Sequence, residues 1–274
     1  MGVLNVTPDS FSDGGEHFDP GRACAKIDEM IEQGARIIDV GGESTRPRHT
    51  PVPADEQLKR TSGPIRHAAD RGALVSIDTT DPSVARAAID AGARIVNDVS
   101  CLRGSDALAR VAAETGSLLI MMHAREPMTE SSGFAGTPED AYGDVVADVR
   151  REWLEAEARA ERAGLARKHI LFDPGIGFNK SARHSAELVR RLDELVSMGF
   201  PVVIGPSRKS FLVAEVKTEP HRRLGGTAAA CIAAAARGAA VLRVHDVIEV
   251  RQALAVARAV GLLLPPKRKE ATHA

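Results

Sequence analysis

The chain is poor in the residues from which several kinds of protein are built. It has three cysteines, Cys24, Cys101 and Cys231, scattered over 274 residues with no Cys-x-x-Cys pair and no Cys/His ligand spacing. An odd, sparse set excludes a disulfide framework and a thiolate metal centre, and fits reduced thiols in the cytoplasm. Aromatic residues amount to 3%. Lys and Arg number 36 against 37 Asp and Glu, a formal net charge of -1. That balance lacks the basic excess on which bulk nucleic-acid binding rests. No apolar run reaches the length of a membrane span; the Ala-rich stretch 226–236 is short, contains Thr227 and is followed by Arg237. The start, Met1-Gly2-Val3-Leu4-Asn5, shows neither the basic nor the long apolar region of a signal peptide. With 43% hydrophobic residues the chain can still bury a large core. The expectation is a cytoplasmic globular protein that binds neither nucleic acid nor membrane.

What is present is alternation. Short apolar, β-branched runs suggest eight strands: Val3–Val6, Arg36–Val40, Leu74–Asp78, Ile95–Asp98, Leu118–His123, His169–Asp173, Val202–Gly205 and Val241–His245. Helix-like patterns follow them at 21–33, 55–70, 83–91, 106–115, 139–163, 184–198, 226–237 and 247–261. Many of these end in glycine (Gly34, Gly72, Gly92, Gly116, Gly164, Gly199, Gly238), which takes the left-handed conformation past a helix at low cost. Strands apolar on both faces and separated by helices mean a covered parallel sheet. No Gly-x-Gly-x-x-Gly follows the first strand, so a single closed (β/α)8 barrel is expected over 1–264. A polar, basic tail at 265–274 is expected to be disordered.

The ends of the strands carry the chemistry. They finish in Asn5, Asp39, Asp78, Asn97 with Asp98, His123, Asp173, the Ser207-Arg208-Lys209 group, and Arg243 with His245. In a barrel these ends share one face, the face where active sites are built. A lone Asp after a strand usually caps the next helix, and Asp39 could be only that. So many polar endings on one rim are hard to explain by capping. Gly205-Pro206-Ser207-Arg208-Lys209-Ser210 reads by itself as an anion cradle or as a solvated turn with two cations. Arg243 and His245, two apart on one strand, share a face. Two loops rich in Gly, Pro and Ser/Thr, at 7–15 and 41–51, have the make-up of lids.

Seven segments, in order, resemble the dihydropteroate synthases of the pterin-binding barrel family. They are Met1 to Gly15 (MGVLNVTPDSFSDGG), Ile38 to Pro47 (IDVGGESTRP), Ser76 to Thr79 (SIDT), Asn97 to Ser100 (NDVS), Asp173 to Phe178 (DPGIGF), Gly205 to Ser210 (GPSRKS) and Arg243 to Asp246 (RVHD). The resemblance runs nearly end to end. It implies a transferase of folate and tetrahydrofolate biosynthesis. The implied reaction condenses 6-hydroxymethyl-7,8-dihydropterin diphosphate with p-aminobenzoate to give 7,8-dihydropteroate and pyrophosphate. It also implies a TIM barrel, Mg²⁺, a homodimer and a target for sulfonamides.

Roles carried over from the resemblance fall on matching positions. Asp78, Asn97 and Asp173 would read the donor/acceptor edge of the pterin, a type of site that rejects analogues strongly. Lys209 would bond the pterin carbonyl and ring nitrogen, beside the p-aminobenzoate slot. Gly177 and Phe178 would line the wall. Asn5, as metal ligand, would hold the diphosphate with Mg²⁺, Arg243 and His245; a single protein oxygen suffices when phosphates supply the rest. Asn5, Lys209, Arg243 and His245 would thus be catalytic. Thr45, Arg46, Pro47 and Ser210 would frame the p-aminobenzoate slot, with Asp9 and Asp13 on the flexible loops. The implied displacement is dissociative: pyrophosphate leaves first, and the neutral aniline nitrogen then attacks the cation.

The chain departs from the family in places. The family usually has an extension before strand 1, whereas the sequence given starts there. Arg48, Asp81, Asn179, Ala124 and Pro206 occupy positions where other residues are commoner. Two other readings compete. A methyltetrahydrofolate-corrinoid methyltransferase shares the barrel but has no use for the cations of Ser-Arg-Lys-Ser and Arg-Val-His. A pterin-binding paralogue without turnover would keep the pocket but release no pyrophosphate.

Overall fold

Apolar residues spaced by about one helical turn create the outer layer. In α1 (Pro20–Glu32) Ala23, Ile27 and Met30 are buried. In α5 (Val145–Arg162) the buried stripe is Val145, Val146, Val149, Trp153, Ala156 and Ala160. Both stripes follow the 3.6-residue period and face a sheet. The starts of these helices are set by carboxylates: Asp19, Asp81 and Asp144 each accept two backbone N–H groups at the N-cap. The structure, a computed structural model, describes residues 1–6, 19–43, 50–127, 130, 136–213 and 216–263. The expected tail at 265–274 and most of the two expected lids lie outside them.

Eight parallel strands alternate with the helices: β1 (Gly2–Asn5), β2 (Ile37–Gly41), β3 (Leu74–Asp78), β4 (Ile95–Asp98), β5 (Leu118–Met122), β6 (Ile170–Asp173), β7 (Val203–Ile204) and β8 (Val241–Leu242). Among the described residues the remaining α-helices are α2 (Ala54–Asp70), α3 (Pro82–Asp90), α4 (Ala107–Thr115), α6 (Ala182–Arg190), α7 (Leu192–Val196), α8 (Leu224–Ala236) and α9 (Val247–Ala259). β1 to β6 form one sheet in sequence order, and β7 pairs with β8. Two parallel bridges close the ring: Phe172 to Val202 joins β6 to β7, and Gly2 to Val244 joins β8 to β1. The second seam is tied by Val3 N–H to Val244 O at 3.0 Å and Val244 N–H to Met1 O at 2.9 Å. The expected (β/α)8 barrel is therefore the fold.

Side chains alternate across each strand. Outward residues such as Ile38, Val40, Ile77 and Val96 join the large helix-facing core. Inward Ile95, Ile120, Leu171 and Val203, with Ile37, Leu118 and Val241 against them, plug the amino-terminal half of the barrel. That plug is a floor. Polar residues two positions further along the same strands (Asp39, Asn97, Asp173, Arg243) sit above it and face the mouth.

Two helices differ from expectation. The one expected at 139–163 begins only at Val145, because Asp144 caps it and the preceding segment is held by Tyr142 Oη–H on Asn179 O at 3.1 Å. The one expected at 184–198 breaks at Arg191, a non-helical residue (φ -112°, ψ 30°) whose guanidinium bridges Asp144 and Glu194. All seven glycines read as helix ends have positive φ.

Trp153 is the largest fully buried side chain; its ring lies against Phe172 and Phe200, and its Nε1–H donates to Met121 O at 2.8 Å. Trp153→Phe removes that hydrogen bond and part of the buried ring, and should destabilise the fold by about 1–3 kcal/mol. Chemical denaturation followed by circular dichroism checks it; an unchanged midpoint would show that the hydrogen bond contributes nothing.

Candidate functional site

The mouth is assembled from residues at the carboxyl ends of the strands. Asn5 ends β1, Asp78 ends β3, Asn97 lies in β4, and Asp173 ends β6. Gly177 and Phe178 follow β6; Lys209 and Ser210 follow β7, with Ser210 opening a short 3-10 turn (Ser210–Val213). Arg243 and His245 lie past the two-residue β8, yet the extended ladder continues through them. Arg243 N–H donates to Ile204 O at 2.9 Å while Val244 bonds the opposite neighbour, so Arg243 and His245 do share the inner face. Thr45, Arg46, Pro47, Asp9 and Asp13 lie outside the described residues.

At the centre is one guanidinium between two carboxylates. Arg243 Nε–H donates to Asp39 Oδ2 at 2.7 Å, and Arg243 Nη2–H to Asp78 Oδ2 at 2.9 Å. Asn97 Nδ2–H reaches Asp39 Oδ2 at 3.3 Å. Asp39 is fully buried, and Asp78 and Asn97 nearly so. The cap reading of Asp39 is thus corrected: it stands inside the barrel wall, two residues before the end of β2, and counters a buried cation. Removing either partner of such a pair costs about 3–5 kcal/mol, because a bare charge is left behind. Asp39 Oδ1 and the hydroxyl of Ser76, its register neighbour on β3, have no partner among the described residues. Burial pushes the Asp78 carboxyl up to about 7; Arg243 opposes the rise, and Asp39, Asp98 and Glu43 add to it.

The β6 loop forms the facing wall. Asp173 Oδ1 accepts Gly175 N–H at 2.7 Å, and burial raises its carboxyl against the pull of Lys209. Gly175 has φ 65°, and a Cβ there would stand 2.0 Å from His123 O, so only glycine fits. Lys209 Nζ donates to Ile176 O and lies 4.2 Å from the centre of the Phe178 ring. Burial pulls Lys209 down to about 7, with Asp173 opposing and Arg243 reinforcing the fall. Near neutral pH both Asp78 and Lys209 are poised between protonation states, which suits groups that must exchange hydrogen bonds with a ligand.

Ser207, read with the cations as one cradle, instead supports His245. Its Oγ accepts His245 N–H at 3.3 Å and lies 3.0 Å from Nδ1. The hydroxyl proton is then free for Nδ1, which leaves Nε2 as the protonated, donating nitrogen. Burial, with Arg243 and Arg208 nearby, holds His245 at about 4, so it is a neutral donor at physiological pH. Arg208 faces away; its Nε–H donates to Asp246 Oδ2 at 3.0 Å. His123, counted among the rim residues, also turns outward. Its Nε2–H donates to Glu152 Oε2 at 2.9 Å, and its Nδ1 takes Lys180 Nζ at 3.0 Å. Lys180 is fully buried and also donates to Phe178 O at 3.0 Å, so it braces the site's wall from behind. Asp98 is a loop staple, accepting Ser100 N–H at 2.8 Å and Leu102 N–H at 2.6 Å.

The arrangement offers carboxylates and an amide to a flat, polar edge, and a cation and a neutral donor to an anion. Burial pushes the Cys101 and Cys231 thiols up to about 12, so neither supplies a thiolate. No group of three His, Cys, Asp or Glu among the described residues can hold a metal by itself. Asn5 fits a cation that brings other ligands with it. Gly41 leaves open the space between Asn5 and Asp78: a Cβ there would lie 3.5 Å from Asp78 Cβ and 3.7 Å from Asn5 Oδ1.

Comparison with known proteins gives consistent matches. The pterin binding enzyme family model matches residues 1–245. A dihydropteroate synthase of Escherichia coli is 41% identical over 273 residues, covering 98% of this chain and 94% of that one. A probable bifunctional folylpolyglutamate synthase/dihydropteroate synthase of Haloferax volcanii is 44% identical over 94% of this chain, which spans only 30% of that longer protein. Among solved structures, the Xanthomonas albilineans dihydropteroate synthase with 4-aminobenzoic acid superposes with TM-score 0.86 at 40% identity, over 97% of this chain and 93% of that one. The same enzyme with 7,8-dihydropteroate gives TM-score 0.83 at 38% identity, over 97% and 94%. A Yersinia pestis dihydropteroate synthase in a sulfonamide drug complex gives 0.85 at 36% identity, over 95% and 92%.

The electrostatics predict a visible titration. In protein carrying ¹³C-labelled Asp carboxyls, Asp78 should titrate near pH 7. Arg243→Met removes the main influence opposing that rise and should move the midpoint upward. A midpoint that stays put would show that the ion pair is absent in solution.

Proposed function

The chain belongs to the dihydropteroate synthases of the pterin-binding enzyme family. We propose that it condenses 6-hydroxymethyl-7,8-dihydropterin diphosphate with p-aminobenzoate, giving 7,8-dihydropteroate and pyrophosphate. The observation that carries the residue assignment is Arg243. Its guanidinium lies 2.9 Å from Asp78, the carboxylate assigned to the pterin edge, and it is the cation assigned to the diphosphate. One side chain therefore borders both halves of one substrate.

In this mechanism Asp78, Asn97 and Asp173 accept from and donate to the pterin edge and fix the ring in the mouth. Lys209 leaves the Ile176 carbonyl for the pterin carbonyl and ring nitrogen, and Phe178 and Gly177 wall the ring. Arg243 and the Nε2–H of His245 take the charge that grows on the diphosphate as its bond to the methylene breaks. Asn5 would hold Mg²⁺, which supplies further positive charge to the same oxygens when bound. The electron pair of the breaking C–O bond leaves with the pyrophosphate, and the ring nitrogen stabilises the cation left on the methylene. The amine of p-aminobenzoate, framed by Thr45, Arg46, Pro47 and Ser210, attacks that carbon and then loses a proton to water. Loops carrying Asp9 and Asp13 exclude water from the cation meanwhile. Sulfonamides, which resemble p-aminobenzoate, would occupy its slot.

A homodimer through α8 and α9 is part of the proposal. α8 is apolar nearly all round, and Ile248, Val256, Val260 and Leu262 are exposed beside it at 44–65%. A helix apolar on every side needs cover, and an exposed apolar patch marks association. No helix among the described residues is long and apolar enough to cross a membrane. With the cysteines free, a cytoplasmic setting suits the chain.

Purified protein with Mg²⁺, the pterin diphosphate and p-aminobenzoate should release pyrophosphate and form dihydropteroate; pterin binding without release would leave only a binding protein. Lys209→Ala should weaken pterin binding by about tenfold or more, the worth of a charged hydrogen bond. Calorimetry checks it, and a loss confined to p-aminobenzoate would misplace Lys209. Light scattering should show a dimer that Val260→Glu splits; an unaffected dimer would put the interface elsewhere.

A further inference from the structure

Asp39 takes no part in packing the helices onto the barrel. It caps no helix, and its neighbours in β2, Ile38 and Val40, point the other way into the helix-facing core. It is fully buried, and among the described residues its side-chain hydrogen bonds go only to Arg243 and Asn97. Its Oδ1 stays without a partner, as does the Ser76 hydroxyl across the strand pair. A carboxylate in that position has one evident use, which is to act on Arg243.

The bonding is divided by nitrogen. Asp39 takes Nε, the atom at the base of the guanidinium. Asp78, nearer the rim, takes Nη2. Nη1 has no hydrogen bond among the described residues. Resting on the function proposed above, we infer that Asp39 is the positioning residue that pins Arg243 by its Nε, so that the Nη atoms pass from Asp78 to the diphosphate while the side chain stays in the mouth. Without Asp39, Asp78 would be the sole carboxylate among the described residues in contact with the guanidinium. The side chain would then be tied at Nη2 alone, and a diphosphate would have to draw an unpinned arginine off Asp78. With Asp39 the cation stays countered from beneath, and Asp78 is released to the pterin as Arg243 turns to the anion.

Asp39→Asn keeps the shape and removes the charge. KM for the pterin diphosphate should rise about tenfold, as for loss of an interaction that steers one substrate group, while KM for p-aminobenzoate stays within about twofold. Affinity for the same pterin lacking the diphosphate should change by less than about threefold, since Arg243 then has no anion to hold. In an Arg243→Ala background the Asp39→Asn change should add nothing to the diphosphate loss. Equal losses toward both pterins, or additive losses in the double variant, would make Asp39 merely structural and overturn the inference, and so would wild-type kinetics in Asp39→Asn. A second measurement needs no variant: in ¹⁵N-labelled wild-type protein, adding pyrophosphate with Mg²⁺ should leave the Arg243 Nε–H resonance in place and shift the Nη signals. A displaced Nε–H resonance would overturn the pinning. Failure of the wild-type protein to form dihydropteroate would sink the proposed function instead, and the pyrophosphate titration would still report on Asp39.

Discussion

One buried guanidinium shared between two carboxylates organises the mouth of this barrel. Arg243 comes from the end of the last strand, Asp39 from the second and Asp78 from the third. The β1–β8 seam lies between the arginine and its partners, so the pair also ties the closure of the barrel to the geometry of the site. Charges so deeply placed are tolerated only because each is countered and hydrogen-bonded. The tension does not vanish. Asp78 sits at about 7 and Lys209, across the mouth, also at about 7, each moved toward its neutral form by burial. A site strained in this way gains from a ligand that brings donors for the carboxylate and acceptors for the cations.

The other wall is stiff for a different reason. The β6 loop passes so close to the His123 carbonyl that Gly175 cannot carry a side chain. Lys180 reaches under the loop to Phe178 O and His123 O, and its Nζ contacts His123 Nδ1. His123 is held in one tautomer by Glu152, which Arg125 also grips. Asn179, at φ 48°, accepts the backbone N–H groups of Arg125 and Glu126 on its side-chain oxygen. An asparagine tolerates that conformation better than most residues and here fastens the β5 loop to the β6 loop. Phe178 and the Ile176 carbonyl, on which Lys209 rests, are therefore fixed before any ligand arrives.

Much of this was legible in the sequence, and the misses have physical causes. Strand β3 (Leu74–Asp78) and strand β4 (Ile95–Asp98) were bounded by their apolar runs and polar ends, and both stand as expected. The convergence of Asp78, Asn97, Asp173, Lys209, Arg243 and His245 follows from parallel strands ending on one face. Asp39 stood open between a rim residue and a helix cap, because a strand-end Asp so often caps a helix. The signal was its position: Val40 and Gly41 continue the strand beyond it, and an acid inside an apolar strand needs a counter-charge. Ser207 and Lys209, two apart in one short motif, serve different neighbours because Arg208 between them takes φ 61° and turns the backbone. Lys180 gave no sign of burial, since a lysine after a loop is usually solvated and only the three-dimensional contacts show what it braces. The break at Arg191 depends on an ion pair to Asp144, 47 residues away, which no local pattern contains.

The central claim is that Arg243 keeps one carboxylate and exchanges the other. A crystal structure with the pterin diphosphate and Mg²⁺ bound tests it most directly. The account predicts that Arg243 Nε remains on Asp39, that its Nη atoms contact the diphosphate, and that Asp78 bonds the pterin edge. A diphosphate seated away from Arg243, or an arginine still closed on Asp78 with the pterin bound elsewhere, would contradict it.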